Sequence, residues 1–165
     1  MLRVIFDTNI YGNLIREENF LDIGNLIAKD PNFIVYGYPL VRKELRKVSK
    51  KTKESQRTRL LLIELYDRIT GKHFLIHSLK IYGLAKKYYN YYKSLKGFYG
   101  WKALKFDFMI IACASLYDLD VVFSSDNKTM FSKKAIKSYK HINLKESLPT
   151  PSFLNYQEIM DKYKN

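Results

Sequence analysis

The chain has 165 residues, enough for one compact domain and too few for two ordinary ones. Its hydrophobic fraction of 47% supports a packed core, and its one cysteine, Cys113, excludes an internal disulfide and fits a reducing cytoplasm. The 29 Lys+Arg against 16 Asp+Glu give a formal charge of +13, which points to a polyanionic partner, and no apolar run approaches the roughly 20 residues of a membrane span.

Residues 3–6 read as the first strand, closed by Asp7, and so early an acid argues against a signal peptide. A helix follows from near Glu18 or Asn19, with Leu21, Ile23, Leu26 and Ile27 as its apolar stripe. It stops at Asp30, because Pro31 pushes the residue before it out of the helical region. Residues 33–36 read as a second strand. Pro39 suits the first turn of the next helix, which carries Leu40, Val41, Glu44, Leu45 and Val48. A helix over about 53–69 ends at Gly71. His73-Phe74-Leu75-Ile76-His77 reads as a short strand, Ser78 caps a helix to about residue 95, and Gly97 and Gly100 bracket a turn. Asp107 opens an apolar helix that precedes a strand at 121–124. A helix over 132–139, a strand near 141–144 and an extended tail through Leu148-Pro149-Thr150-Pro151 complete the chain. Strands alternating with helices give an α/β fold with a parallel sheet.

Four acids stand out against this frame. Asp7 ends the first strand and Asp126 follows the strand at 121–124. If those strands are neighbours, their connections leave to opposite faces and a ligand crevice opens between them. Glu44 and Asp107, each on a helix next to a strand, can lean over the same crevice. A helix-terminal carboxylate accounts for Asp107 alone, and an exposed helix acid for Glu44 alone. Together, the four repel one another unless a cation joins them, and a divalent metal is the simplest candidate.

Two basic clusters accompany the acids. Residues 42–59 hold nine bases, including Arg42, Lys43, Arg46, Lys47 and Lys50, against Glu44 and Glu54. Residues 86–105 hold six lysines, among them Lys86, Lys87 and Lys93, and no acid, interleaved with Tyr88, Tyr89, Tyr91, Tyr92, Phe98, Tyr99 and Trp101. A solvated helix face and core aromatics explain any single member. Jointly they favour a nucleic acid, since bases neutralise phosphates and aromatics stack on bases. His73 and His77 lack a third nearby ligand, which sets aside zinc. Asn9 stands where a D-x-D-x-T phosphatase needs its second Asp.

The segments Val4-Ile5-Phe6-Asp7-Thr8-Asn9, Glu44-Leu45, Asp107-Phe108-Met109-Ile110-Ile111-Ala112-Cys113-Ala114 and Val122-Phe123-Ser124-Ser125-Asp126, followed by Phe131, stand in the order seen in PIN-domain nucleases. The chain resembles that family and, within it, the VapC-type toxin ribonucleases. The resemblance covers about residues 1–145 of a single domain spanning 1–165, with a tail at 146–165 whose Pro151-Ser152-Phe153-Leu154 also resembles the ending of many members. It implies a five-stranded parallel sheet flanked by helices, and RNA hydrolysis dependent on Mg²⁺ or Mn²⁺. The acidic quartet maps onto Asp7, Glu44, Asp107 and Asp126. Asp7, Asp107 and Asp126 would hold the metal directly or through water, and Glu44 would hold a second metal or orient the nucleophilic water. Thr8, Asn9 and Ser124 map onto the polar helpers, Ser124 standing where the family often has Thr. The RNA backbone would run over Arg42, Lys43, Arg46, Lys47, Lys50, Lys86, Lys87 and Lys93. A homodimer and a cognate antitoxin are the protein partners implied. The basic-aromatic region at 79–105 is longer than in the shortest toxins, which keeps open a PIN nuclease of RNA processing or DNA structure recognition. A non-catalytic RNA-binding adaptor on the same fold is the other alternative.

Overall fold

The computed structural model describes residues 1–48 and 51–163. In chain order the elements are β1 (Leu2–Phe6), α1 (Thr8–Leu14), α2 (Phe20–Lys29), β2 (Phe33–Val35), α3 (Pro39–Leu45), α4 (Lys53–Thr70), α5 (Leu79–Ser94), α6 (Trp101–Leu116), β3 (Val121–Phe123), α7 (Lys133–Lys145), β4 (Ser152–Leu154) and α8 (Tyr156–Tyr163). The strands lie in the order β2-β1-β3-β4 and every pairing is parallel. Parallel neighbours need crossovers, and helices supply all of them. The central strands are therefore apolar on both faces: Val4, Ile5 and Phe6 of β1 and Val121, Val122 and Phe123 of β3 are all buried. Phe6, Phe33 and Phe123 pack mutually, with ring centroids 5.4 to 6.0 Å apart.

From Phe108 to Ser115 α6 is buried all round, with Phe108 and Ile110 to Ala114 inaccessible to solvent, whereas Lys102 and Lys105 stand exposed in its first half. That is why the stretch from Phe108 shows no polar face in the sequence. Cys113 sits in this run as a small buried hydrophobe. α2 and α4 approach closely at Gly24, where a Cβ would meet Leu65 Cδ1 at 2.7 Å. Leu21 and Leu26, expected in the α2 stripe, are 39% and 53% exposed, and Ile23 and Ile27 carry the packing.

The fold is the expected single α/β unit with a parallel sheet, but among the described residues the sheet has four strands, not five. Residues 73–77 contribute one isolated bridge, Gly37 to Phe74, because β2 ends at Val35 and the chain turns away at Pro39, which has no N–H to extend a ladder. Residues 141–144 are helical, not extended. Ser132 caps α7, and Ala135, Ser138, Tyr139 and Asn143 are buried at helical spacing, so the buried face runs on past Tyr139. The tail read as merely extended supplies β4, paired with β3. Two helix starts also differ. The chain turns helical at Thr8, directly after Asp7. α6 begins at Trp101, which puts Asp107 in its second turn and removes any helix-terminus explanation for that acid.

A buried polar cluster ties α5, α6 and α7 to the tail. The Tyr88 hydroxyl donates to Asn143 Oδ1 (2.6 Å), and Asn143 Nδ2 donates to Ser115 Oγ (2.9 Å), Thr150 Oγ1 (3.0 Å) and the Pro149 carbonyl (3.2 Å). Asn143 thus sets the path into β4. Replacing it with Ala leaves the Tyr88 hydroxyl only its longer 3.3 Å bond to Ser115 Oγ and frees Thr150 and the Pro149 carbonyl from α7. Asn143→Ala is expected to lower stability by about 2–4 kcal/mol in urea unfolding. A loss under about 0.5 kcal/mol, the usual range of a surface change, would show that the cluster contributes little.

Candidate active site

β1 and β3 are adjacent, so Asp7 and Ser124, each one residue past its strand, meet at the sheet's carboxyl edge. Asp7 N donates to the Phe123 carbonyl at 2.9 Å, continuing the ladder. Only 4% of Asp7 is exposed. Its carboxylate accepts four hydrogen bonds: Thr8 N (2.7 Å) and Thr8 Oγ1 (3.3 Å) on Oδ1, Asn9 Nδ2 (2.6 Å) and Ser124 Oγ (2.8 Å) on Oδ2. The bond from Thr8 N also caps α1. Ser124 Oγ donates its one proton to Asp7 and accepts from Asn9 Nδ2 and Asp126 N, both at 3.0 Å, which fills its capacity. Asn9 Oδ1 accepts from Ser125 N at 2.9 Å, so one amide side chain joins the ends of both strands.

Asp126 folds back on its own turn, its Oδ1 accepting from Lys128 N (2.9 Å) and Thr129 N (2.8 Å). The Thr129 hydroxyl then bridges two acids. It lies 2.6 Å from Asp107 Oδ2 on α6 and makes a short hydrogen bond with Asp126 Oδ2. Asp7, Asp107 and Asp126 line one cleft of about 530 Å³, together with Thr8, Asn9 and Glu44, the last projecting from α3. All four acids predicted from sequence border this cleft.

Among the described residues, no ion pair neutralises any of them. The ion pairs among the described residues involve other acids: Asp118, Asp67, Glu64, Glu146 and Asp30. Lys43, Lys47, Lys102 and Lys105 line the cleft without pairing with its acids. The electrostatic consequence falls on Asp107. Burial, with the neighbouring charges of Asp7, Asp126 and Glu44, raises its pKa to about 7 against the lowering bond from Thr129. Burial also raises Asp7, opposed by the bonds from Ser124 and Thr8 and reinforced by Asp126. One hydroxyl proton cannot serve two carboxylates. With Asp107 protonated, the chain Asp107 O–H to Thr129 O–H to Asp126 is satisfied throughout.

The donor set is all oxygen and anionic, which suits Mg²⁺ or Mn²⁺. Among the described residues no three acid, histidine or cysteine side chains close into a ready-made cage. Such a site fits a cation that keeps several of its waters. Glu44 has no side-chain partner among the described residues, and of the four bonds to Asp7 the one from Thr8 Oγ1 is the longest.

The predicted basic contacts divide. Lys43 and Lys47 border the cleft, and Arg46 lines the neighbouring hollow with Phe74 and Tyr66. Arg42 is held by Asp67 in a two-point pair at 2.7 and 2.8 Å, joining α3 to α4. Lys87 pairs with Glu146, Lys93 donates to the Gly97 carbonyl, and Lys86 lies 4.4 Å from the Trp101 ring centre. Lys50 lies outside the described residues. Tyr88 and Tyr92 are core, not stacking surfaces. His73 packs on Tyr36, and His77 Nδ1 is 2.6 Å from the Tyr38 hydroxyl. Sequence reasoning missed Lys102 and Lys105 as cleft residues and Thr129 as the partner of two cleft acids. The available signals were weak: a threonine three residues after Asp126, and two lysines three apart one turn before Asp107.

A family profile described as PIN domain matches residues 4–137. A comparison with curated protein sequences finds no match. Among solved structures, the chain is similar to VapBC2 from Rickettsia felis bound to a DNA fragment from their promoter, at 16% identity and a TM-score of 0.60, covering 93% of this chain and 98% of that one. It is similar to DNA-bound VapBC from Salmonella typhimurium at 15% identity and a TM-score of 0.60, covering 94% of this chain and 99% of that one. At these identities the likeness is one of fold.

The raised carboxyls set a pH dependence. In the unfolded chain Asp107 ionises near 3.8, whereas in the metal-free fold it keeps its proton to about 7. The folded state binds the extra proton between those values, so stability falls as pH rises through this window, and the full deficit is present above it. Asp7 acts in the same direction. In EDTA, Asp107→Asn is expected to flatten the stability profile from pH 4 to 8 and to be about 2–4 kcal/mol more stable than the parent at pH 8. Urea unfolding across that range checks it, and parent stability that rises with pH would contradict the assignment.

Proposed function

The chain belongs to the PIN domain family, a family of nucleases, and on that premise we propose that it is a metal-dependent endoribonuclease and the toxin of a toxin–antitoxin pair. One observation carries the reading: four carboxylates border one cleft of a +13 chain, and no ion pair among the described residues neutralises any of them. A binding module for an anionic polymer gains nothing from acids left unpaired beside its lysines. A hydrolase that needs a cation there does.

Asp7, Asp107 and Asp126 would hold Mg²⁺ or Mn²⁺, directly or through water, with Glu44 across the cleft. When bound, the cation lowers the pKa of a coordinated water and offsets charge on the phosphate under attack. The chain's own contribution is orientation. Thr8, Asn9 and Ser124 keep the Asp7 carboxylate fixed at the strand ends. Glu44, on α3, would hold a second cation or orient the attacking water. Lys43 on α3 and Lys47 in the turn after it, with Lys102 and Lys105 on α6, hold substrate phosphates beside the acids. The substrate is a single strand or loop, because A-form duplexes hide their base edges.

The similar solved structures are VapBC assemblies, which supports a cognate antitoxin for this chain. An antitoxin arm offering a basic side chain would meet the charge deficit the four acids create. We also assign the protein a homodimeric state and a cytoplasmic site of action, where its RNA is found. Among the described residues no helix is long and apolar enough to cross a membrane.

Two outcomes test the reading. Asp7→Asn keeps a good helix cap and should fold, yet lose at least about 100-fold in Mg²⁺- or Mn²⁺-dependent cleavage of cellular RNA. A folded Asp7→Asn protein that still cuts would sink the scheme. In that inactive background, Lys102→Gln and Lys105→Gln should each weaken binding to single-stranded RNA and lower the slope of log affinity against log salt by about 0.7. An unchanged slope would remove those lysines from the RNA path.

A further inference from the structure

Among the described residues, the Thr129 hydroxyl is the one side-chain group hydrogen-bonded to the carboxylates of two cleft acids. It lies 2.6 Å from Asp107 Oδ2, 22 positions away on α6, and it bonds Asp126 Oδ2 three positions back. The turn at residues 127–130 does not require this hydroxyl. Its local hydrogen bonds come from backbone: Lys128 N and Thr129 N to Asp126 Oδ1, and Phe131 N to the Asp126 carbonyl at 2.9 Å. Any residue with an N–H could close that turn. What a threonine adds is an oxygen on the acid side. Its position is preset, because Met130 is buried and its carbonyl accepts from the buried Tyr139 hydroxyl at 2.9 Å.

Resting on the nuclease reading above, we propose that Thr129 is a positioning residue of the metal centre, its hydroxyl setting the separation and facing of the Asp107 and Asp126 carboxylates for cation binding. Thr8, Asn9 and Ser124 hold the Asp7 carboxylate, and Ser124 meets Asp126 only through its backbone N–H. Asp107 rides on a helix and Asp126 on a turn, and no other side-chain hydrogen bond among the described residues joins the two. Without the hydroxyl, the two carboxylates lose their shared reference and repel freely. Second-layer partners of this kind are worth about 10–100-fold in metal affinity or activity.

Thr129→Val keeps the shape and removes the oxygen; Thr129→Ser keeps the oxygen. Mn²⁺ affinity of the full-length protein, from the electron paramagnetic resonance signal of free Mn²⁺, and kcat and KM on single-stranded RNA are the readouts. Thr129→Val should weaken Mn²⁺ binding and lower kcat, each by about 10-fold or more, with KM for RNA within about twofold of the parent. Thr129→Ser should match the parent in all three. If circular dichroism shows Thr129→Val unfolded, Thr129→Ala takes its place with the same expected losses. Parent-like Mn²⁺ affinity and kcat in the folded hydroxyl-less variant overturn the proposal, as does a Ser variant as impaired as the Val variant. A parent protein that cuts RNA in EDTA and binds no Mn²⁺ overturns the metal reading itself, and is told apart from the first failure by the parent measurement alone.

Discussion

A carboxylate buried to 4% exposure at the junction of the two central strands is the constraint on which the rest of this structure turns. Burying a charge without a basic partner is unfavourable unless hydrogen bonds replace the lost water. Asp7 meets that condition through Thr8, Asn9 and Ser124, and those residues must stand where they do for the carboxylate to stay. Asn9 reaches Ser125 N on the β3 side, so the network also fixes how the ends of β1 and β3 sit together. α1 starts at once after β1 because the same carboxylate caps it. A strand junction, a helix start and a charged site are thus one local arrangement.

Around it, the other acids sit on parts of the fold that do not share backbone hydrogen bonds with β1. Glu44 comes from α3, Asp107 from the second turn of a buried helix, and Asp126 from a turn anchored by Met130 and Tyr139. Burial of Asp107, reinforced by the charges of Asp7, Asp126 and Glu44, raises its pKa and so disfavours its ionised form in the metal-free fold. Strain gathered at one place and offset by packing elsewhere is the usual signature of a functional site. The offset here is the apolar sheet and the buried stretch of α6 from Phe108 to Ser115.

The basic, aromatic stretch from α5 into α6 divides its labour in a way its composition does not announce. Tyr88 and Tyr92 face the core, and Lys87 and Lys93 are engaged with Glu146 and the Gly97 carbonyl. The turn between the helices closes on Tyr92: a Cβ at Gly97 would fall 2.1 Å from its ring, and the Tyr92 hydroxyl accepts from Tyr99 N at 3.2 Å. That closure sets where α6 begins, and with it which lysines reach the cleft. Lys102 and Lys105 do, one turn ahead of Asp107.

Much of this was legible in the residues. Apolar runs ended by acids marked β1 and β3 and the side on which ligands bind, because a parallel strand buried on both faces is apolar throughout and its carboxyl end opens on the crevice. Asp7 and Asp126 could be named for the same reason, whereas Glu44 and Asp107, on helices, were named from their neighbourhood to strands and from the family resemblance. Strand count could not: residues 141–144 are short and ambiguous alone, and only the packing of Tyr139 and Asn143 against α5 and α6 decides that they continue a helix. Residues 152–154 carry no strong strand pattern, and they become β4 because the path out of α7, held by Asn143, delivers them to the open edge of β3. Thr129, Lys102 and Lys105 lay beyond sequence reasoning for a related reason. Periodicity reports which face of an element is buried, whereas contact between Thr129 and Asp107 depends on how α6 and the turn after β3 are set against each other, and that is decided by tertiary packing alone.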